Sequence, residues 1–319
     1  MEKFISPQYL IGYAIIIVII TVSYLLKKKN NGENFNMQNS VLNQFSTNFT
    51  ELIRKHGADP VIGRDSEVLK LVQTLSRKTK NNALLLGSPG VGKTSVVERL
   101  AALIVSGQVP ESLRDKEVIA LDLSSLIAGT KYRGELEQRL NALQKELLAR
   151  KKNIILFIDE IQQLSQAKGV EGGLSPSDVL KPELARGNLQ VIGATTYTDY
   201  EKYILPDKSL DRRFHPIHVH EPSREECLQI LRGVREVYEK FHHVKYPDEI
   251  LENIIDLSKK YIQKRFLPDK AVDVLDEVGV HVRLENMKKE VKEETPVIKE
   301  SDVKEVIAEW VDKSVDEIK

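Results

Sequence analysis

Gly87-Ser88-Pro89-Gly90-Val91-Gly92-Lys93-Thr94 is the stretch that decides the fold. It fits the glycine-rich phosphate loop, in which Gly-Lys-Thr closes a pattern opened by glycine. The setting matters as much as the pattern. Ala83-Leu84-Leu85-Leu86 just before it reads as a buried strand, and Ser95 to Ser106 just after it as a helix. Such a strand–loop–helix turns backbone N–H groups inward around an anion and adds the positive end of the helix dipole. Lys93 is then placed to reach the β and γ oxygens of a nucleotide, and the Thr94 hydroxyl to ligate Mg²⁺.

A second apolar run completes such a site. Ile154-Ile155-Leu156-Phe157-Ile158 is continuous, as expected of a strand buried on both faces, and it ends in Asp159-Glu160. In an open parallel sheet the carboxyl ends of the strands form the ligand edge. Asp159 is expected there as the holder of Mg²⁺ through water, and Glu160 as the group that polarises the attacking water. Ile192-Gly193-Ala194-Thr195-Thr196 also ends in hydroxyls, which would either stand beside the γ-phosphate or cap a turn. Asp211-Arg212-Arg213-Phe214 puts two guanidiniums at the rim of the domain. They are either solvated surface or fingers supplied to a neighbouring subunit's nucleotide, a device that requires a ring. Gly129-Thr130-Lys131-Tyr132-Arg133-Gly134 is a loop with one aromatic, bounded by glycines.

Outward from these motifs, β-rich runs alternate with helical patterns: Ala83 to Leu86, Val118 to Leu121, Ile154 to Ile158, Val191 to Ala194 and Ile217 to Val219. This alternation predicts an α/β domain with a five-stranded parallel sheet flanked by helices, over residues 57–222. Beyond Pro222 the strand signals stop. Amphipathic patterns at Glu225 to His242, Asp248 to Tyr261, Asp269 to about Glu290 and Ser301 to Trp310 predict a small helical domain over 223–319. Its helix starts are marked by Ser223 with Glu226, by Pro247-Asp248 and by Ser301-Asp302.

Composition narrows the function classes. Lys plus Arg and Asp plus Glu are both 47 in the 319 residues, so no net field steers the chain onto nucleic acid, and no nucleic-acid partner is expected. Cys227 is the sole cysteine, which excludes an intrachain disulfide and a cysteine-based zinc site. His220-Glu221-Pro222-Ser223-Arg224 is not a zinc-protease motif.

The N-terminus is the exception in composition. No charge occurs from Phe4 to Leu26, and Tyr9 to Leu26 is nearly all apolar, close to the roughly 20 residues that cross a bilayer. Ser23-Tyr24-Leu25-Leu26 offers no small-residue cleavage site, and Lys27, Lys28 and Lys29 follow the run. Residues 1–29 are expected to be a single-pass transmembrane helix with the remaining chain on the cytosolic side. Residues 30–56, rich in Asn, Ser and Thr, read as a linker with room for one short helix.

With these residues in hand, the chain from about Gly57 onward resembles the first ATPase module of the Clp-type AAA+ unfoldases. Asp59-Pro60-Val61-Ile62-Gly63-Arg64, the phosphate loop, Lys131-Tyr132-Arg133-Gly134-Glu135, Lys181-Pro182-Glu183-Leu184-Ala185-Arg186-Gly187, Gly193-Ala194-Thr195-Thr196, Arg212-Arg213-Phe214 and Leu267-Pro268-Asp269-Lys270-Ala271 occur in the family's order. The resemblance implies a P-loop NTPase domain with a helical lid, and hydrolysis of ATP with Mg²⁺. It implies Thr196 as a sensor hydroxyl and Arg212 and Arg213 as fingers acting in trans. Lys131, Tyr132 and Arg133 become a pore loop whose aromatic grips a threaded polypeptide, and Val61, Ile62, Ile230 and Pro268 the adenine pocket. The implied partners are further copies of the chain, in a ring expected to be hexameric, and protein substrates.

The sequence also departs from the family. It shows one ATPase module, without a second, without a folded N-terminal substrate domain and without a long coiled-coil insertion. No Arg occupies the start of the Asp269 helix, where second modules carry a sensor, and no peptidase partner is inferred. Two functions remain open on this reading: an ATP-driven unfoldase or remodeller, and a nucleotide-gated scaffold that assembles at the membrane without threading.

Overall fold

The structure, a computed structural model, describes residues 40–57, 61–128, 133–166, 176–187, 189–289 and 294–319. The apolar run Tyr9 to Leu26, its basic flank and the start of the linker lie outside these residues, as do Asp59, Pro60, Lys131 and Tyr132. Among the described residues no helix is long and apolar enough to cross a membrane.

The strands are β1 (Ser46–Asn48), β2 (Asn82–Leu86), β3 (Glu117–Leu121), β4 (Ile154–Ile158), β5 (Gln190–Thr195) and β6 (Phe214–His218). They form one sheet in the order β1-β3-β4-β5-β2-β6. β2, β3, β4, β5 and β6 pair in parallel, as expected from runs alternating with helices. Side chains alternate between the two faces, and both faces are covered. Ile154, Leu156 and Ile158 of β4 join one core with Leu140, Leu143 and Leu147 of α4 (Arg133–Arg150) and Val179, Leu180 and Leu184 of α5 (Pro176–Arg186). Ile155 and Phe157 join another, with Val68, Leu71 and Leu75 of α2 (Asp65–Leu75) and Val96, Leu100 and Ile104 of α3 (Lys93–Val105). Each fully buried side chain of this size contributes about 1.5–3 kcal/mol, which is why β4 can be apolar at every position.

The expected five-stranded parallel sheet needs correction: it has six strands, and the sixth is antiparallel. β1 pairs with β3, setting Ser46 opposite Leu121 and Asn48 opposite Ile119. It comes from the stretch read as linker. A three-residue edge strand of Ser, Thr and Asn carries no apolar alternation, so its sequence gives no periodic signal.

Long-range contacts hold this segment. Leu42 is fully buried in one core, while Phe49 and Ile53 of α1 (Phe49–His56) pack against the other. The buried Glu146 carboxylate accepts the Ser40 hydroxyl at 2.6 Å, the Val41 N–H at 2.9 Å and the Leu42 N–H at 3.1 Å. Those are donors at the start of the short helix Val41–Gln44, which its own turns cannot satisfy. Glu146→Ala is therefore expected to lower stability by about 2–3 kcal/mol, because two backbone donors lose their only acceptor. Chemical denaturation measures the loss, and limited proteolysis should find the first new cuts between residues 40 and 57.

The helical domain consists of α6 (Arg224–His242), α7 (Asp248–Tyr261), α8 (Asp269–Lys288) and α9 (Glu300–Val311). Leu231, Leu251, Ile254, Ile255, Val274, Leu275, Val278 and Ile307 form its own core. Ser223 and Glu226 make the expected capping box: the Ser223 hydroxyl accepts the Glu226 N–H at 3.2 Å, and the Glu226 carboxylate accepts the Ser223 N–H at 2.8 Å. At α9 the start is shifted from the sequence reading. Ser301 lies inside the helix, and the Asp302 carboxylate accepts the Lys299 N–H at 2.8 Å.

Candidate nucleotide-binding site

The phosphate loop runs from the end of β2 to the start of α3, and its backbone geometry explains two of its glycines. A side chain on Gly87 would begin 2.3 Å from the Val219 carbonyl oxygen, so the loop can leave the sheet only with glycine there. Gly92 has φ of +91°, a left-handed conformation that L side chains avoid, and it aims the first N–H groups of α3 into the loop. The Lys93 ammonium folds back over the loop and donates to the Gly87 and Ser88 carbonyls, both at 3.0 Å. Burial holds the Lys93 pKa below the ordinary lysine value, against the opposing pull of the Asp159 and Glu160 charges. A desolvated cation with acids nearby is well placed for a polyanionic ligand.

A cavity of about 490 Å³ opens beside this loop. Pro89 to Thr94 line its floor, Asp159 and Glu160 one side, and Val61, Ile62, Ile230 and Pro268 are all in its wall. The apolar part therefore joins the chain before α2 to the lid, while the polar part belongs to the sheet edge. The Thr94 hydroxyl donates to the Asp159 carboxylate at 3.4 Å, which pairs two hard oxygen donors next to the loop. Glu160 follows β4 with φ of +52° and donates its N–H to the Asp159 carboxylate at 3.0 Å.

Further residues reach this cavity to which the sequence reading gave no role in the site. Arg64 donates to the Val91 carbonyl at 2.6 Å and pairs with Glu67 at 3.1 Å, so a guanidinium braces the phosphate loop from outside. Asp269, the first residue of α8, lies so close to Gly90 that a side chain there would meet its Cβ at 2.7 Å. Lid and phosphate loop are thus in direct contact. Val234 and Val272 extend the apolar wall, one helical turn after Ile230 and Pro268 respectively. That spacing is the signal by which sequence could have found them.

Thr196, Arg212 and Arg213 do not line the cavity. The Thr196 hydroxyl accepts the Asp199 N–H at 3.1 Å and donates to the Asp199 carboxylate at 2.7 Å, capping the short helix Tyr197–Asp199. Arg212 and Arg213 follow the turn Lys208–Asp211, with Arg212 exposed and the Arg213 Nε buried without a partner among the described residues. The turn itself is tightly held. Lys181 pairs with Asp207 at 2.7 Å, and the Tyr200 hydroxyl donates to Asp211 at 2.7 Å. Burial works to raise the Asp207 pKa, yet hydrogen bonds from Lys181 and Ser209 hold it down at about 2. The pKa of Tyr200 is pushed up to about 12 by burial and by Asp211. The two arginines thus follow a braced turn and do not line the cavity. Of the expected pore loop, Lys131 and Tyr132 lie outside the described residues, and Arg133 begins α4.

Comparison with known proteins agrees with this architecture. Residues 83–217 match the AAA family, the ATPases associated with various cellular activities, and residues 223–316 match the AAA lid domain. Chaperone protein ClpB of Clostridium perfringens is 50% identical over 244 residues, which is 76% of this chain and 28% of that protein. The negative regulator of genetic competence ClpC/MecB of Bacillus subtilis is 49% identical over 253 residues, 79% of this chain and 31% of its own. Among solved structures, the Saccharomyces cerevisiae Hsp104:casein complex in its extended conformation superposes with a TM-score of 0.74 at 36% identity, over 85% of this chain and 45% of that one. The Saccharomyces cerevisiae Hsp104-ADP complex gives a TM-score of 0.71 at 38% identity, over 77% and 34%. The chain spans under a third of the length of these two curated relatives. A phosphate loop, a strand ending in two acids and a lid that closes on the loop, with these similarities, make the chain an ATPase of the AAA family, of the Clp type.

Proposed function

We propose that this chain works as a ring, expected to be a hexamer, that converts ATP to ADP and phosphate and uses the cycle to unfold or remodel other proteins. The observation that carries the reading is the split between the cavity and the arginines. The cavity holds Lys93, Thr94, Asp159 and Glu160 in one chain, whereas Arg212 and Arg213 stand outside it on a braced turn. In a ring, a neighbouring copy would supply these arginines to the site.

In this reading Val61, Ile62, Ile230 and Pro268 hold the base, and the amides of residues 87–94 with Lys93 hold the phosphates. Glu160 orients the attacking water, and Thr196 senses the γ-phosphate after leaving its capping bond. Thr94 and Asp159 fit Mg²⁺, which prefers hard oxygen donors completed by water and substrate phosphate; when bound it would neutralise charge on the phosphates. Tyr132 grips the substrate polypeptide. The apolar run Tyr9 to Leu26 tethers the ring to a membrane, with the ATPase on the cytosolic side, a reading supported by sequence alone. Neither a nucleic acid nor a peptidase partner forms part of the proposal. The Hsp104 structure with casein supports protein substrates for the family, since casein is itself a polypeptide.

The test uses subunit mixing. An Arg212→Ala/Arg213→Ala variant and a Glu160→Gln variant should each be inactive alone, and a mixture should recover part of the ATP turnover. In mixed rings some sites combine an intact Glu160 with an intact pair of arginines from the neighbour. A mixture as inactive as its parents would overturn the trans arrangement. Tyr132→Ala should keep ATP turnover and lose unfolding of a fluorescent substrate protein; retained function in the cell would instead favour the nucleotide-gated scaffold.

A further inference from the structure

Gln162 lies in the turn after β4, two residues beyond Glu160, and is 5% exposed. A buried primary amide must place donors and an acceptor, and here its two ends reach two different segments. The Gln162 oxygen accepts the Thr195 hydroxyl at 2.7 Å. The Gln162 nitrogen donates to a Glu160 carboxylate oxygen.

Chemistry fixes the direction of this chain of bonds. An ionised carboxylate only accepts, so the amide nitrogen must face Glu160 and the amide oxygen must face Thr195. The Thr195 hydroxyl is then obliged to donate. Thr195 ends β5 and is fully buried, and its backbone carbonyl accepts the N–H of Gly87, the first residue of the phosphate loop, at 3.3 Å. The turn is also tied to β5 through the backbone, since the Ile161 N–H donates to the Ala194 carbonyl at 3.0 Å. Glu160 itself has a left-handed backbone, which a non-glycine residue keeps only where its surroundings hold it.

We propose that Gln162 is the positioning residue for Glu160: an amide clamp, oriented by Thr195, that fixes the direction of the carboxylate toward the cavity. The inference rests on the reading of Glu160 as the group that orients the attacking water. Thr195 and Thr196 then divide the work at the end of β5, with Thr195 serving the clamp and Thr196 facing the turn beyond it. Gln162 does not line the cavity, so its loss should misdirect the carboxylate and leave nucleotide binding intact.

The experiment measures kcat for ATP and the affinity for a non-hydrolysable ATP analogue on full-length protein. Gln162→Leu should lower kcat about 10- to 100-fold, the usual cost of misplacing a reacting group, with analogue affinity changed less than about threefold. Gln162→Glu keeps the shape but turns a carboxylate toward Glu160, and should lose kcat at least as severely. Thr195→Val, which keeps side-chain volume and removes the hydroxyl, should lower kcat about 3- to 10-fold by freeing the amide to rotate, and should add little to Gln162→Leu. Unchanged kcat in Gln162→Leu and Gln162→Glu would overturn the clamp, and so would a fall in analogue affinity parallel to kcat, which marks a merely structural role. Glu160→Gln separates the two levels. If it leaves turnover intact, the reading of Glu160 fails; if it abolishes turnover while Gln162→Leu does not lower it, only the clamp fails.

Discussion

Glu160→Gln is expected to lower ATP turnover by about 10²- to 10⁴-fold while leaving nucleotide affinity within a few-fold of the parent. The substitution keeps volume and shape, and Glu160 lines the cavity from the end of β4, so binding should change little. In the proposed reading, what is lost is the negative charge that orients and polarises the attacking water. Phosphoryl transfer offers few covalent roles to the protein, so positioning and charge carry most of the acceleration. Lys93→Ala supplies the contrast. Its ammonium is held at 3.0 Å from two loop carbonyls and is largely buried, so alanine removes a desolvated cation from within the phosphate loop. Affinity for ATP should fall about 10- to 100-fold, the worth of one charge-assisted hydrogen bond, and turnover should fall with it. Titration with a non-hydrolysable analogue and phosphate release measure the two quantities separately. Parent turnover no higher than that of the variants would remove ATP hydrolysis by this site.

Gly87→Ala should be damaging at a position with no chemistry of its own. Its new methyl would begin 2.3 Å from the Val219 carbonyl oxygen and 3.0 Å from Val91 Cγ2. The first contact is backbone, which cannot rotate away, and Val219 is tied to β2 by its N–H bond to the Leu86 carbonyl at 2.8 Å. Relief requires the ends of β2 and β6 to separate, at a cost of about 2–3 kcal/mol and several degrees of melting temperature. The loop also moves, so ATP affinity should drop in the same variant. Gly134→Ala is the control: it lies in the first turn of α4 with nothing within 4 Å of the added atom. It should leave stability unchanged or raise it by up to about 1 kcal/mol. Equal melting temperatures for Gly87→Ala and the parent would show that the strands part freely.

Much of the ATP site was legible because its parts are local. The phosphate loop announces itself between Ala83-Leu84-Leu85-Leu86 and its helix, and the structure sets β2 and α3 within two residues of those limits. Asp159 and Glu160 follow a run apolar at every position, a run that both faces of the sheet bury. The lid helices were readable from period and caps; α6 and α9 each begin one residue earlier than read, and at α9 Asp302 reaches back to Lys299 instead of leaving Ser301 as the cap. Val61, Ile62, Ile230 and Pro268 were placed together by family resemblance, and the fold gathers them around one cavity.

What stayed hidden is non-local. β1 is polar and three residues long, and it exists because β3 offers an open edge and Glu146 holds the chain ahead of it. The approach of Asp269 to Gly90, and of Ile62 to Gly233, depends on how the lid folds over the sheet. The Thr195–Gln162–Glu160 chain joins the ends of two strands that are neighbours only in the sheet.

By itself, then, the sequence determined the parallel strands, the phosphate loop, the acid pair and the lid helices, because each is written in the periodicity or chemistry of consecutive residues. Only the tertiary structure decided the sixth strand, the contact of lid with loop and the partner of each buried polar group. Those depend on which distant segments meet, and a buried donor or acceptor takes whatever partner the packed fold brings within reach.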